Sequence, residues 1–188
     1  MKMINLFILI PIISCNISSQ EPIDNQQPVY SIDNQDYSEY SKAYFASGCF
    51  WCVETVYESL EGVKEVYSGY GGGSTVNPNY YQVMTGRTGH AESIEIIYDE
   101  SIIEFEMLLK VFFDSHDPTT MNRQGADRGT QYRSIVMYHS KEQQKEAETY
   151  IEKLDNSGAY KQLVVTQVVE LKEFYKAELS LQSCYMIC

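Results

Sequence analysis

The chain has 188 residues, enough for one domain behind a short leader. Its 26 acidic residues against 14 basic ones leave a formal net charge of −12, which argues against nucleic acid as a partner, because phosphate contacts need clustered Lys and Arg. The five cysteines are Cys15, Cys49, Cys52, Cys184 and Cys188. The last four form two close pairs at opposite ends of the folded part, an arrangement that suggests redox work or a metal.

Residues 1–14 carry one lysine, Lys2, and then a mostly apolar run. The run is shorter than the ~20 residues a membrane-spanning helix needs, and its layout is that of an export signal. Its end, Ile12-Ile13-Ser14-Cys15, resembles the lipobox of bacterial lipoproteins, with Cys15 at the lipidated position and Ile13 bulkier than usual. Residues 1–15 are therefore expected to be a lipoprotein-type signal peptide. The protein would then be exported, periplasmic and lipid-anchored to the bacterial envelope, with no other membrane contact. Residues 16–41 are rich in Ser, Asn, Gln, Asp and Pro; they read as a flexible tether, leaving 42–188 as the folded domain.

Within that domain Val53, Val56, Tyr57 and Leu60 recur at helical spacing before Gly62. Phe105, Leu108, Leu109 and Phe112 repeat the pattern after Ser101-x-x-Glu104, a capping box. Ala147, Tyr150, Ile151 and Leu154 do so after Ser140-x-x-Gln143, with Gly158 as the stop. Strands are expected at about 42–46, 63–68, 92–98, 133–138 and 164–170 from β-branched and aromatic content. Alternation of the two types predicts an α/β or α+β class, one sheet covered by helices. The turn-rich stretches 69–79 and 114–130 are where a site would be built.

The chemistry concentrates at Ser47-Gly48-Cys49-Phe50-Trp51-Cys52-Val53-Glu54, between the first strand and the first helix. Cys49 falls at a helix N-terminus, where unpaired N–H groups favour an anion and lower a thiol's pKa. Phe50 and Trp51 are placed to wall a small apolar pocket; the alternative for Cys49 is an inert buried thiol. In the strand after His90, Glu92 shares a face with Ile94, Ile96 and Tyr98. A carboxyl at the mouth of an apolar face is raised in pKa and kept as an acid, unless it bends to water.

These residues stand among six motifs in order: Gly48-Cys49-Phe50-Trp51 with Glu54, Gly69-Tyr70-x-Gly72-Gly73, Asn77-Pro78-x-Tyr80, Thr88-Gly89-His90-Ala91-Glu92, His116-Asp117-Pro118-Thr119, and Gly129-Thr130-Gln131-Tyr132-Arg133-Ser134. Together they resemble the A-type peptide methionine sulfoxide reductases, from about Tyr44 to Glu178. The resemblance implies a ferredoxin-like, two-layer α+β sandwich around a mixed sheet. It implies reduction of methionine-S-sulfoxide in oxidised proteins or peptides, with free methionine sulfoxide as an open second substrate. It assigns Cys49 as nucleophile, Glu92 as acid, Tyr80 and Tyr132 as donors near the sulfoxide oxygen, Phe50 and Trp51 as the methyl pocket, and Asp127 to the substrate region. Cys49 would become a sulfenic acid, which condenses with a second thiol to a disulfide, recycled by a thioredoxin-like reductant. No cofactor and no metal are implied, and a monomer is expected.

Two features depart from the family pattern. Many members have Gly where Cys52 stands, and the tail has Ser180-Leu181-Gln182 in place of Tyr-His-Gln. Cys52, Cys184 and Cys188 are all candidate resolving cysteines, Cys52 slightly favoured because one helical turn fixes its reach to Cys49. The altered tail leaves its docking open. The rival readings are a thiol–disulfide oxidoreductase using Cys49-x-x-Cys52, a structural zinc module using Cys49, Cys52, Cys184 and Cys188, and a binding protein derived from a reductase. His90 is expected to orient the loop before Glu92, and His116 to close a helix.

Overall fold

The structure, a computed structural model, describes residues 36–182; the expected signal peptide 1–15 with Cys15, tether residues 16–35, and Cys184 and Cys188 lie outside them. Strand β1 (Ser41–Ser47), helix α1 (Phe50–Glu58) and strand β2 (Val63–Gly71) come first, followed by α2 (Tyr80–Met84), β3 (Ala91–Tyr98) and α3 (Phe105–Ser115). A short hairpin, β4 (Arg123–Gln124) and β5 (Asp127–Arg128), precedes β6 (Ser134–Tyr138), α4 (Lys141–Ser157), β7 (Gln167–Glu170) and β8 (Phe174–Lys176). The six-stranded sheet runs β7-β6-β1-β3-β2-β8. The β6–β7 pair is parallel and the others antiparallel. The units β1-α1-β2 and β3-α3-β6 with central order β6-β1-β3-β2 form a ferredoxin-like α+β sandwich, as expected from the sequence.

Period-two alternation sorts β1 between two clusters. Ala43 and Phe45 enter the helix-covered core with Tyr57 of α1, Leu108 and Phe112 of α3 and Ala147 of α4. Tyr44 and Ala46 enter a smaller cluster with Ile135 and Met137, packed by Val169, Leu171 and Phe174. Phe45 joins the layers, its ring 5.8 Å from Tyr57, 5.9 Å from Phe105 and 5.0 Å from Phe112 between centroids. Truncating it to Ala is worth roughly 3–5 kcal/mol by its size and burial.

Local signals were met unevenly. Ser140 Oγ accepts from Gln143 N–H (3.2 Å), but the Gln143 side chain accepts from His139 N–H (3.3 Å), one residue outside a reciprocal box. Gly158 ends α4 in a left-handed conformation. The Ser101-x-x-Glu104 box does not form: Glu104 is the N-cap of α3 without a side-chain bond. Ser101 instead turns back on Asp99, donating to Oδ1 from N–H (3.1 Å) and Oγ–H (2.6 Å). The strand expected over 164–170 is confined to Gln167–Glu170, because the Val165 N–H is taken by Pro118 O (2.8 Å). Residues 37–41, read as the end of the tether, are partly anchored. Tyr37 O–H donates to Glu65 (3.3 Å), and Lys64 lies 5.1 Å over the Tyr40 ring.

Candidate active site

The turn from β1 into α1 builds the site. Gly48 has φ +102°, and a Cβ there would come within 2.7 Å of Gln124 Cγ; glycine is thus needed for both the turn and the close approach of the β4–β5 hairpin. Cys49 follows as the N-cap of α1, half-buried, free and without a side-chain capping bond. The amides of Cys52 and Trp51 at the helix start favour its thiolate, as the helix position predicts. Burial nonetheless pushes the thiol up, and the charges of Glu92 and Asp127 push the same way. The expectation of a lowered thiol pKa is therefore corrected: removing sulfur from water beside two carboxyls outweighs two backbone dipoles.

Glu92 lies on β3 with 2% of its surface exposed. Its Oε2 accepts from Phe50 N–H at 3.0 Å, the amide next to Cys49. Burial raises its pKa to about 7; the Phe50 N–H opposes the rise and the Asp127 charge adds to it. No lysine or arginine forms an ion pair with it among the described residues. A carboxyl so placed is about half protonated near pH 7.

Aromatic rings surround this pair. Phe50 is buried, with its ring 5.4 Å from Trp51 and 6.0 Å from Tyr70. Trp51 stacks on Tyr80 at 6.4 Å. The Tyr80 and Tyr132 hydroxyls are raised in pKa by burial first and by the Glu92 charge second, Tyr132 to about 12, so both are O–H donors at neutral pH. Tyr132 O–H donates to Met84 Sδ at 3.5 Å, a weak acceptor that a stronger one would displace. Asp127 is exposed on the hairpin, and its charge acts on Cys49, Glu92, Tyr80 and Tyr132. The structure thus brings together Cys49, Phe50, Trp51, Tyr80, Glu92, Asp127 and Tyr132. Cys52 is exposed and disulfide-bonded, and not to Cys49, which is free.

Loops around the site are tied by three side chains, of which only Arg133 had no role read from the sequence. Arg133 donates from Nη2 to Gly72 O (3.3 Å) and Gly89 O (2.9 Å) and from Nη1 to Thr130 O (2.7 Å), joining three loops. His90, buried, accepts at Nδ1 from Gly73 N–H (3.2 Å) and bonds Thr75 O through Nε2 (2.9 Å), which orients the loop before Glu92. His116 ends α3, held between Phe112 O (2.6 Å) and Ser134 Oγ (2.7 Å); burial lowers its pKa to about 4 and keeps it neutral. Surface depressions of about 680 Å³ beside Asp117 and Tyr160 and about 640 Å³ beside Glu104 and Glu146 contain no cysteine.

Residues 41–186 match the family model described as peptide methionine sulfoxide reductase. The chain belongs to the peptide methionine sulfoxide reductase family. A peptide methionine sulfoxide reductase from Natronomonas pharaonis is 52% identical over 136 residues, 72% of this chain and 76% of that one. The solved structure of reduced Mxr1 from Saccharomyces cerevisiae is 32% identical with a TM-score of 0.73, covering 79% of this chain and 85% of that one. Mxr1 in complex with Trx2 is 25% identical with a TM-score of 0.57, covering 79% and 88%.

For this reductase the tail question has a structural answer as far as Gln182. A 3-10 turn (Leu179–Leu181) leads to Gln182, whose amide exchanges hydrogen bonds with the Ser68 backbone (2.9 and 2.8 Å). The replacement of Tyr-His by Ser180-Leu181 is therefore compatible with docking, since the side chain that docks is the retained Gln182. Candidate resolvers Cys184 and Cys188 lie outside the described residues.

Proposed function

We propose that Cys49 is the nucleophile and Glu92 the acid in thiol-dependent reduction of methionine-S-sulfoxide to methionine. The observation that carries this is a free thiol at a helix start beside a buried carboxyl with a pKa of about 7 and no ion-pair partner. Near neutral pH the thiol form of Cys49 with ionised Glu92 has the same proton count as thiolate with protonated Glu92. Moving one proton reaches the reactive form without exchange with solvent. Thiolate sulfur then attacks the sulfoxide sulfur, Glu92 gives its proton to the departing oxygen, and Tyr80 and Tyr132 donate to that oxygen as charge develops. The hydroxyl so formed passes from substrate sulfur to Cys49 sulfur as the bond between the two sulfurs breaks; substrate sulfur gains two electrons and leaves as the thioether, and Cys49 sulfur loses two and becomes a sulfenic acid. Phe50 and Trp51 take the methyl group, and Asp127 borders the substrate.

The sulfenic acid condenses with a second thiol, releasing water and leaving a disulfide that a dithiol reductant reopens. Cys52, Cys184 and Cys188 are the candidate resolvers, and the Trx2 complex of Mxr1 supports a thioredoxin-like reductant. The protein acts as a monomer on oxidised proteins or peptides. Lys2, the apolar run after it and Cys15 support export with a lipid anchor at Cys15.

The test is methionine formed from the separate S and R epimers of a blocked methionine sulfoxide with dithiothreitol, for wild type and Cys49→Ser. Turnover of the S epimer alone, abolished in Cys49→Ser, is the expected result. Turnover persisting in Cys49→Ser, or none in the freshly reduced wild type, rejects the assignment.

A further inference from the structure

The segment from Glu178 to Gln182 touches the site at two points remote from it in sequence. The Trp51 indole Nε1–H donates to Leu181 O at 2.7 Å. The Glu178 carboxylate accepts from Tyr80 N–H at 3.0 Å, the first residue of α2, and from Tyr70 O–H at 2.9 Å. Trp51 and Tyr80 stack on each other, and Tyr70 packs on Phe50. One short segment thus holds the polar ends of two rings, Trp51 and Tyr70, and the backbone of Tyr80, whose ring stacks on Trp51. Its own hold is Gln182: Oε1 accepts from Ser68 N–H (2.9 Å), and Nε2–H donates to Ser68 O (2.8 Å) and Ala177 O (2.9 Å).

We propose that Glu178 and Gln182 are positioning residues for the sulfoxide pocket, so that the aromatic wall formed by Trp51 and Tyr80 is complete only while this segment is docked. This rests on the reading of Cys49 and its neighbours as the reductase site. A half-buried indole N–H requires an acceptor, and Leu181 O supplies it. Without Leu181 O the indole turns to find water. Without Glu178 the first amide of α2, a helix of five residues, loses its partner. Apolar backing comes from Leu181, half-buried against the core, while Leu179 is 72% exposed. The segment is therefore held by hydrogen bonds and one half-buried leucine, and such short terminal contacts belong to the more weakly held parts of a fold. Its release and tight substrate binding exclude one another. A tail that leaves the site after oxidation loosens the pocket as it goes, and redocking restores the pocket for the next sulfoxide.

Trp51 is the chain's only tryptophan, so its fluorescence reports the wall directly. The test compares the reduced full chain with Gln182→Ala and Glu178→Gln, reading acrylamide quenching of Trp51 and the kinetics of a blocked methionine-S-sulfoxide with dithiothreitol, which bypasses any tail thiol. In Gln182→Ala, quenching rises and KM increases roughly tenfold, in line with the loss of three neutral hydrogen bonds, while kcat stays within about threefold. Glu178→Gln keeps an acceptor for Tyr80 N–H and shows a smaller change in the same direction. Unchanged quenching in Gln182→Ala, or raised quenching with an unchanged KM, overturns the proposal. Quenching is read without substrate, so a wild type that reduces no sulfoxide rejects the reductase reading and still leaves the bracing of Trp51 decided.

Discussion

Strand β3 carries two buried glutamates three residues apart, on opposite faces of the sheet. Glu95 is 5% exposed and faces the small cluster, where Tyr44 O–H (2.7 Å) and Lys42 (3.0 Å) meet one of its oxygens and Lys176 lies 4.0 Å from the other. Glu92 is 2% exposed and faces the helix-covered core, where its bonded partner is the Phe50 amide. The same residue type at the same depth becomes part of an ion cluster on one face and, on the other, a carboxyl raised to about 7 by burial. Burial without a cation is what raises a carboxyl's pKa toward neutrality.

Removing the carboxyl from each face should therefore have opposite consequences. Glu92→Gln, which keeps an acceptor for Phe50 N–H, should lower kcat with dithiothreitol by at least ~100-fold, the usual scale for loss of a general acid. It should also stabilise the protein above neutral pH. The folded value of about 7 lies above the ordinary 4.5. The folded chain thus keeps a proton between those limits that the unfolded chain has lost, and stability falls as pH rises through about 7. At pH 8 denaturant titration should find the variant more stable by roughly 3 kcal/mol, and at pH 4 little changed. Equal stability of wild type and variant at pH 8 would contradict the unpaired carboxyl.

The smaller effect belongs to the other face. Glu95→Gln should cost about 1–2 kcal/mol in denaturant titration. The loss is limited because Lys42 and Lys176 are 42% and 52% exposed and can turn to water. Its turnover of methionine-S-sulfoxide should stay within about threefold of wild type. A large loss of turnover would mean that the two faces are coupled and that Glu95 does more than pair charges.

Much of this was readable in the sequence because it depends on local spacing. A strand, a glycine and an amphipathic helix put Cys49 at a helix start, and alternation put Glu92 on the face of Ile94 and Ile96. The sign of the Cys49 shift was not readable, because it depends on how deeply sulfur is buried and on Glu92 and Asp127, brought in from 43 and 78 residues away. Helix α2 is too short for periodicity, yet its Asn79-x-x-Gln82 capping box stood in the sequence and forms fully. The grip of Gln182 on Ser68 spans 114 residues and depends on backbone groups, which no local pattern announces. Strand β8 has three residues and pairs at the sheet edge beside β2.

The most direct measurement is a carboxyl titration of the reduced protein by infrared difference spectroscopy, with Glu92→Gln as the reference. A protonated carboxyl present in the wild type alone and lost with a midpoint near pH 7 is the predicted result. A Glu92 signal that titrates near the ordinary 4.5 would contradict the account, since Glu92 would then hold no proton to give at neutral pH.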